Sequence, residues 1–318
     1  MFKRAGARPI AGVMVPVSLL LDSAFATPLE ALAAVPAAVR SPLRDVTSHG
    51  RLRVAGVHGR LRWATHAEDR RWVADRFALP LLDTPHQRRV QRVGLRHYAL
   101  TQRCMTVEAD PVLRAAVGVH GDVSSLPERT MLAFVHSPGM WLALYGLTNA
   151  GAPVAPVVDD WFFEDPMAAV RNEAVTRRGG KMIPAGDAFT QVERALQDGM
   201  LPAMAVDVAG STPVRFFGKD ARVRSGLARL ALATGASIVP IRGGFVRGRP
   251  MTFLGRPVAP RDDAGALMGE VIAAVEQPLL RRPEYWMPYT GELWPQLSEA
   301  YRDAYVEDQP QSEVGSTA

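Results

Sequence analysis

Three short apolar runs in this chain each end on a residue that can titrate: Val135 leads into His136, Val158 into Asp159, and Val206 into Asp207. An apolar run of this length reads as a buried strand, and in open parallel sheets ligands bind beyond the carboxyl ends of the strands. The pattern therefore predicts one rim carrying an imidazole and two carboxylates. Ser137-Pro138-Gly139 follows His136 and breaks the chain, which would expose the ring for proton transfer near neutral pH. The competing reading makes His136 a buried structural histidine and the two aspartates loop or helix-cap residues.

The elements that must position these residues follow from periodicity. Strands are expected at Thr130–Val135, Pro153–Val158, Leu201–Val206 and Ser237–Ile241. Helices are expected near Met140–Ala150, Pro166–Arg178, Ala188–Asp198 and Gly226–Thr234. Gly151, Gly199 and Gly235 stand where helices end, and Asp187 and Ser225 where they begin. Phe245–Leu254 reads as a hairpin turning at Gly248, and Ala264–Leu280 as a closing helix. The predicted fold is α/β: a single domain with a central, mostly parallel sheet flanked by helices, preceded by a helical N-terminal part. We divide it into helices over 1–105, an α/β core over 106–294 and a polar, disordered tail over 295–318. No repeat or linker interrupts this plan.

Upstream, Thr84-Pro85-His86-Gln87 has the form of a capping box and predicts a helix start. On that helix Val90, Val93, His97, Leu100 and Cys104 share one face, and Arg89, Arg92, Arg96 and Arg103 another. The arginine face reads either as solvated surface or as a contact for anionic lipid or a carrier protein.

Composition narrows the classes. A chain of 318 residues with 47% hydrophobic and 22% charged residues can bury a full core. The net charge of +5 attracts anionic partners, and lysine stands only at Lys3, Lys181 and Lys219, so the basic character is carried by arginine. No nucleic-acid motif accompanies that charge, and no nucleic-acid partner is expected. The lone Cys104 reads as a buried thiol, and the other histidines (His49, His58, His66, His86, His97 and His120) lack ligand spacing, so no metal is expected. Neither a Walker loop nor a dinucleotide fingerprint is present, and no nucleotide cofactor is expected. Pro9–Leu21 is apolar but only 13 residues long, short of the roughly twenty needed to span a bilayer, so the expected location is the cytoplasm or the inner membrane face as a peripheral protein.

Longer patterns carry a resemblance. AFVHSPGMW resembles the strand and His-x4-Asp/Glu motif of the bacterial lysophospholipid acyltransferase-like superfamily, nearest the lipid A lauroyl/myristoyl and phosphatidylinositol mannoside acyltransferases. Asp207, Pro213-Val214-Arg215-Phe216-Phe217-Gly218, Gly226, Leu230-Ala231, the run Thr234 to Pro240, and Pro283-Glu284-Tyr285-Trp286 are similar to later blocks of that family. The resemblance covers about 110–290 and implies transfer of an acyl group from a thioester, on acyl carrier protein or coenzyme A, to a hydroxyl or amine of a lipid or metabolite acceptor. The thioester is then a co-substrate, and no cofactor is needed. His136 would be the base. Arg171 matches a family arginine that could hold a phosphate or steady an oxyanion. Arg215 and Arg224, which flank the Phe216-Phe217-Gly218 turn, are candidate substrate contacts, together with Ser137 and Trp141. Phe216 and Phe217 read as core rather than as walls of an acyl tunnel.

The chain departs from the motif at one place: Trp141 stands where the family has its acid. Asp207, and after it Asp159, are the substitutes the strand ends offer. The alternative is a diverged member that has lost acyl transfer and binds, or acts differently on, a carrier-bound intermediate in specialised metabolism.

Overall fold

The structure, a computed structural model, describes residues 48–67, 70, 87–165, 167–287 and 293–294. The apolar segment Pro9–Leu21, the Thr84–His86 half of the capping box and the polar tail over 295–318 lie outside the described residues.

Helices α1 (Ser48–Thr65) and α2 (Gln87–Ala109) pack side by side, and a short α3 (Pro111–Ala115) follows, capped by Asp110, whose carboxylate accepts from Val112 N at 2.9 Å. The chain then runs β1 (Gly118–His120), β2 (Thr130–Phe134), α4 (Met140–Asn149), β3 (Val154–Val158), α5 (Ala168–Thr176), β4 (Ile183–Pro184), α6 (Ala188–Gln197) and β5 (Leu201–Ala205). After β6 (Ala209–Phe216), β7 (Lys219–Val223) and α7 (Gly226–Thr234) come β8 (Ser237–Val246), β9 (Arg249–Leu254) and α8 (Ala264–Arg281).

Seven strands form one sheet in the order β1-β9-β8-β2-β5-β3-β4. β8, β2, β5, β3 and β4 are mutually parallel; β9 returns antiparallel to β8, and β1 is parallel to β9. β2 lies in the middle and is buried along its whole length, as a strand covered on both faces must be. The connections β2 to β3 and β3 to β4 run one way across the sheet and those from β4 to β5 and β5 to β8 the other, so right-handed crossovers clothe both faces with helices. Leu52, Leu100, Cys104 and Val107 of the first two helices join the same hydrophobic core as the sheet.

Two features depart from the sequence reading. Asp187 and Ser225 do occupy N-cap positions, but neither side chain caps: their ψ angles of 11° and 14° lie outside the extended region from which a side-chain oxygen reaches the first turn. β8 runs five residues past the expected Ile241 because all of its second half pairs with β9. Its turn is the two-residue Arg247-Gly248, both at positive φ. The β6–β7 hairpin, a separate two-stranded sheet, turns the same way at Phe217-Gly218. Two-residue turns of this hand match the twist of the strands they join.

Candidate active site

β2 and β5 are neighbours in register, Phe134 beside Ala205, and Val206 N donates to Phe134 O at 2.9 Å. The next residues outward are His136 and Asp207, which the pairing brings together from 71 positions apart. His136 Nδ1 lies 2.9 Å from Asp207 Oδ1, and the His136 backbone N–H donates to both carboxylate oxygens at 3.0 and 3.1 Å. Trp286 Nε1 donates to Asp207 Oδ2 at 2.9 Å, and Met287 N to His136 O at 2.8 Å. The Pro283–Trp286 segment thus clamps the pair from above.

A carboxylate facing Nδ1 selects the tautomer with the proton on that nitrogen and leaves the Nε2 lone pair free to accept one. Asp207 is buried, with a side chain 1% exposed, whereas that of His136 is 23% exposed, so the carboxylate is enclosed and the imidazole is reachable. Burial of the imidazole pulls its pKa down. The charge of Asp207, its hydrogen bond and the charge of Asp159 together outweigh that, and His136 ends above its ordinary value.

Between the sheet and α8 lies a mostly apolar cavity of about 250 Å³, whose lining includes neither His136 nor Asp207. Val135 and Ser137, the two chain neighbours of His136, line it, with Ile241, Leu254, Val275 and Leu279. The loop that carries Ser137 sits hard against β8: a Cβ on Gly139 would meet Gly243 O at 2.7 Å, so the approach needs glycine.

The remaining candidates scatter. Asp159 is exposed at the end of β3, where it begins a 3-10 turn. Ser137 is buried at the cavity wall. Trp141 is 4% exposed on α4 and stacks on Phe162 at 5.3 Å between ring centres, away from the cavity lining. The guanidinium of Arg171 stands 4.9 Å over the Trp141 ring and is held by two acids, Glu108 Oε2 at 3.0 Å and Asp165 Oδ2 at 2.6 Å. Arg171 therefore arrives with its charge already answered. Arg215 lies near the tip of the β6–β7 hairpin, exposed and paired with Asp220 at 3.0 Å, while Arg224 lies exposed at the hairpin's base, its backbone N–H donating to Val208 O at 2.8 Å, one residue past Asp207. Phe216 and Phe217 are buried in an aromatic cluster with Trp286 and Trp294.

From the sequence, Glu108 has no role, Trp286 only a place in a family block, and Gly139 only a place in the break after His136. A helix-face count gives Glu108 no partner, and only tertiary placement shows that the Trp286 indole reaches an acid 79 residues earlier. Among the described residues no helix is long and apolar enough to cross a membrane.

Compared with known proteins, the model of the bacterial lipid A biosynthesis acyltransferase family matches residues 128–289, half of the chain. The crystal structure of the 1-acyl-sn-glycerophosphate acyltransferase PlsC from Thermotoga maritima is similar at 14% identity, over 74% of this chain and 99% of that one, with a TM-score of 0.39. No curated protein matches the chain.

Proposed function

This chain belongs to the bacterial lipid A biosynthesis acyltransferase family and is an acyltransferase, and from that premise we propose that it carries an acyl group from a thioester of acyl carrier protein or coenzyme A to a hydroxyl or amine, with His136 as general base and Asp207 as its acid partner. The observation that carries this reading is the 2.9 Å contact between His136 Nδ1 and the buried Asp207 carboxylate. In the step proposed, Nε2 takes the acceptor's proton as its oxygen or nitrogen bonds to the thioester carbonyl carbon. The tetrahedral intermediate then collapses, the C–S bond breaks, and the imidazolium returns the proton to the departing thiolate. Asp207 stabilises the imidazolium between these events. Asp159, at the end of β3, adds negative charge on the same rim. Of the expected substrate contacts, this reading retains Ser137 at the cavity wall and Arg224 at the hairpin base.

The cavity lined by Val135 and Ser137 offers the apolar surface a fatty chain requires, and each methylene buried there contributes about 0.8 kcal/mol. Acyl length should therefore act mainly on kcat/KM. The acceptor in this reading is a lipid or a small metabolite.

The diverged-member reading rests on Trp141 at the motif position. One observation weighs against it: a carboxylate is within hydrogen-bond reach of His136. The deciding experiment is discharge of an acyl thioester by purified protein in the presence of acceptor. His136→Ala should abolish the reaction with the fold intact by circular dichroism; an unimpaired variant would rule the base assignment out.

A further inference from the structure

A second cavity, of about 290 Å³, opens where α1, α2 and the β8–β9 turn meet the Pro283–Trp286 segment. Four arginines line it, Arg60, Arg96, Arg103 and Arg282, together with Glu284 and Tyr285. Among the described residues one of the four charges meets a carboxylate there: Arg282 Nε donates to Glu284 Oε1 at 2.6 Å. Among the described residues none of Arg60, Arg96 and Arg103 pairs with a carboxylate. Arg103 is the most enclosed of the three. Its guanidinium lies 4.4 Å from the centre of the Phe245 ring, its Nε is buried without a hydrogen-bond partner, and burial with the nearby Arg60 charge holds its pKa below the ordinary arginine value.

Like charges around one cavity repel, and the half-buried Arg103 loses hydration as well, while Arg60 and Arg96 are exposed. A doubly charged group with several acceptor oxygens reverses both costs, and the guanidinium fork is shaped for phosphate oxygens. We propose that this cavity is a binding site for a phosphate-bearing ligand, held by Arg60, Arg96 and Arg103, and separate from the His136–Asp207 pair. Arg171 cannot serve in this role because Glu108 and Asp165 already hold it. Tyr285 lines both cavities, so the phosphate site and the apolar slot between the sheet and α8 adjoin at this residue. The phosphate has two chemical sources, a soluble nucleotide-linked or pantetheine-linked thioester and a lipid headgroup, and both present the same oxygens to the arginines.

Calorimetric titration of the full-length protein at low salt separates them. The probes are coenzyme A, pantetheine, inorganic pyrophosphate, and phosphatidylcholine vesicles with and without phosphatidic acid. Pyrophosphate should bind, and weaken as salt is raised. Coenzyme A binding with pantetheine silent assigns the site to the soluble donor; a response only to vesicles carrying phosphatidic acid assigns it to a lipid headgroup. Arg96→Ala and Arg103→Ala should each weaken whichever probe binds by about tenfold, the scale of one charge-assisted hydrogen bond. Arg60→Ala/Arg96→Ala, which changes two exposed side chains only, covers the case in which Arg103→Ala misfolds. His136→Ala should bind the probe as the parent does, so a wrong base assignment would leave this result standing. The proposal is overturned if pyrophosphate, coenzyme A and phosphatidic acid vesicles all fail to bind at millimolar concentration, or if binding is indifferent to both the Arg103→Ala and the Arg60→Ala/Arg96→Ala changes.

Discussion

Asp207 and Glu108 are both acids buried almost completely, yet their surroundings set them different tasks. Asp207 is met by N–H donors of His136 and by the indole of Trp286, none of which carries a fixed charge, and the imidazole in front of it is reachable from outside. Glu108 is met by the permanent cation of Arg171, roofed by Trp141 and Phe162. The negative charge on Asp207 is therefore completed only when His136 takes up a proton, which is the event a general base must favour. The charge on Glu108 is already neutralised, so it stiffens the packing of α2 against α5 and contributes nothing to a moving proton. On the proposed mechanism a motif acid replaced by tryptophan should cost the site little, because the carboxylate facing His136 comes from a different strand.

The contrast is broken most severely by Asp207→Asn. Turnover should fall about 10³ to 10⁴-fold, the scale seen when an imidazole loses its orienting carboxylate, with binding of the acyl donor little changed. Its pH profile carries a second signature. Because His136 sits above 6.5, the parent enzyme should gain activity as pH rises, with a midpoint above that value, and Asp207→Asn should move the midpoint down. The same shift enters stability. Protonated His136 paired with Asp207 favours the folded state fully below about pH 6.5, and that contribution fades as pH rises through the folded-state value.

Arg171→Met should act on stability instead. Stranding Glu108 is expected to cost about 3 to 5 kcal/mol in urea unfolding at neutral pH, less in acid, where the already raised Glu108 carboxyl takes up a proton. Glu108→Leu/Arg171→Met should recover much of the loss. A large drop in turnover per folded molecule for this double variant would return Arg171 to the catalytic machinery.

Trp286→Phe removes one donor to Asp207 while keeping an aromatic ring, and should cost about 1 to 1.5 kcal/mol, read as roughly tenfold in kcat with KM unchanged. Arg215→Ala marks the low end. Its exposed pair with Asp220 at the hairpin tip should leave turnover unchanged and stability within about 0.5 kcal/mol.

The sheet's interior was legible because strands buried on both faces read as continuous apolar runs, and β2, β3 and β5 lie within one residue of where the runs place them. β1 and β4 were not legible, having three and two residues, too few for any period to register. The β6–β7 hairpin was legible only at its turn, since the first half of β6 lacks regular alternation, the strand carries Gly210 and Pro213, poor strand formers, and Phe217 stands at a positive φ that its residue type does not announce. For the site, the three strand-end residues were visible in the chain. That β2 and β5 are neighbours was not, because β3 and β4 intervene in sequence but not in space. The role of Trp286 was invisible for the same reason: its partner is defined by the tertiary fold.

Trp286 also sets an order of events in biosynthesis. A ribosome releases residues 134–207 long before residue 286, so a nascent chain can pair β2 with β5 while one oxygen of Asp207 still lacks its indole donor. The hydrogen bonds around His136 and Asp207 are complete only when the Pro283–Met287 segment docks, so on the proposed mechanism competence should come late in synthesis.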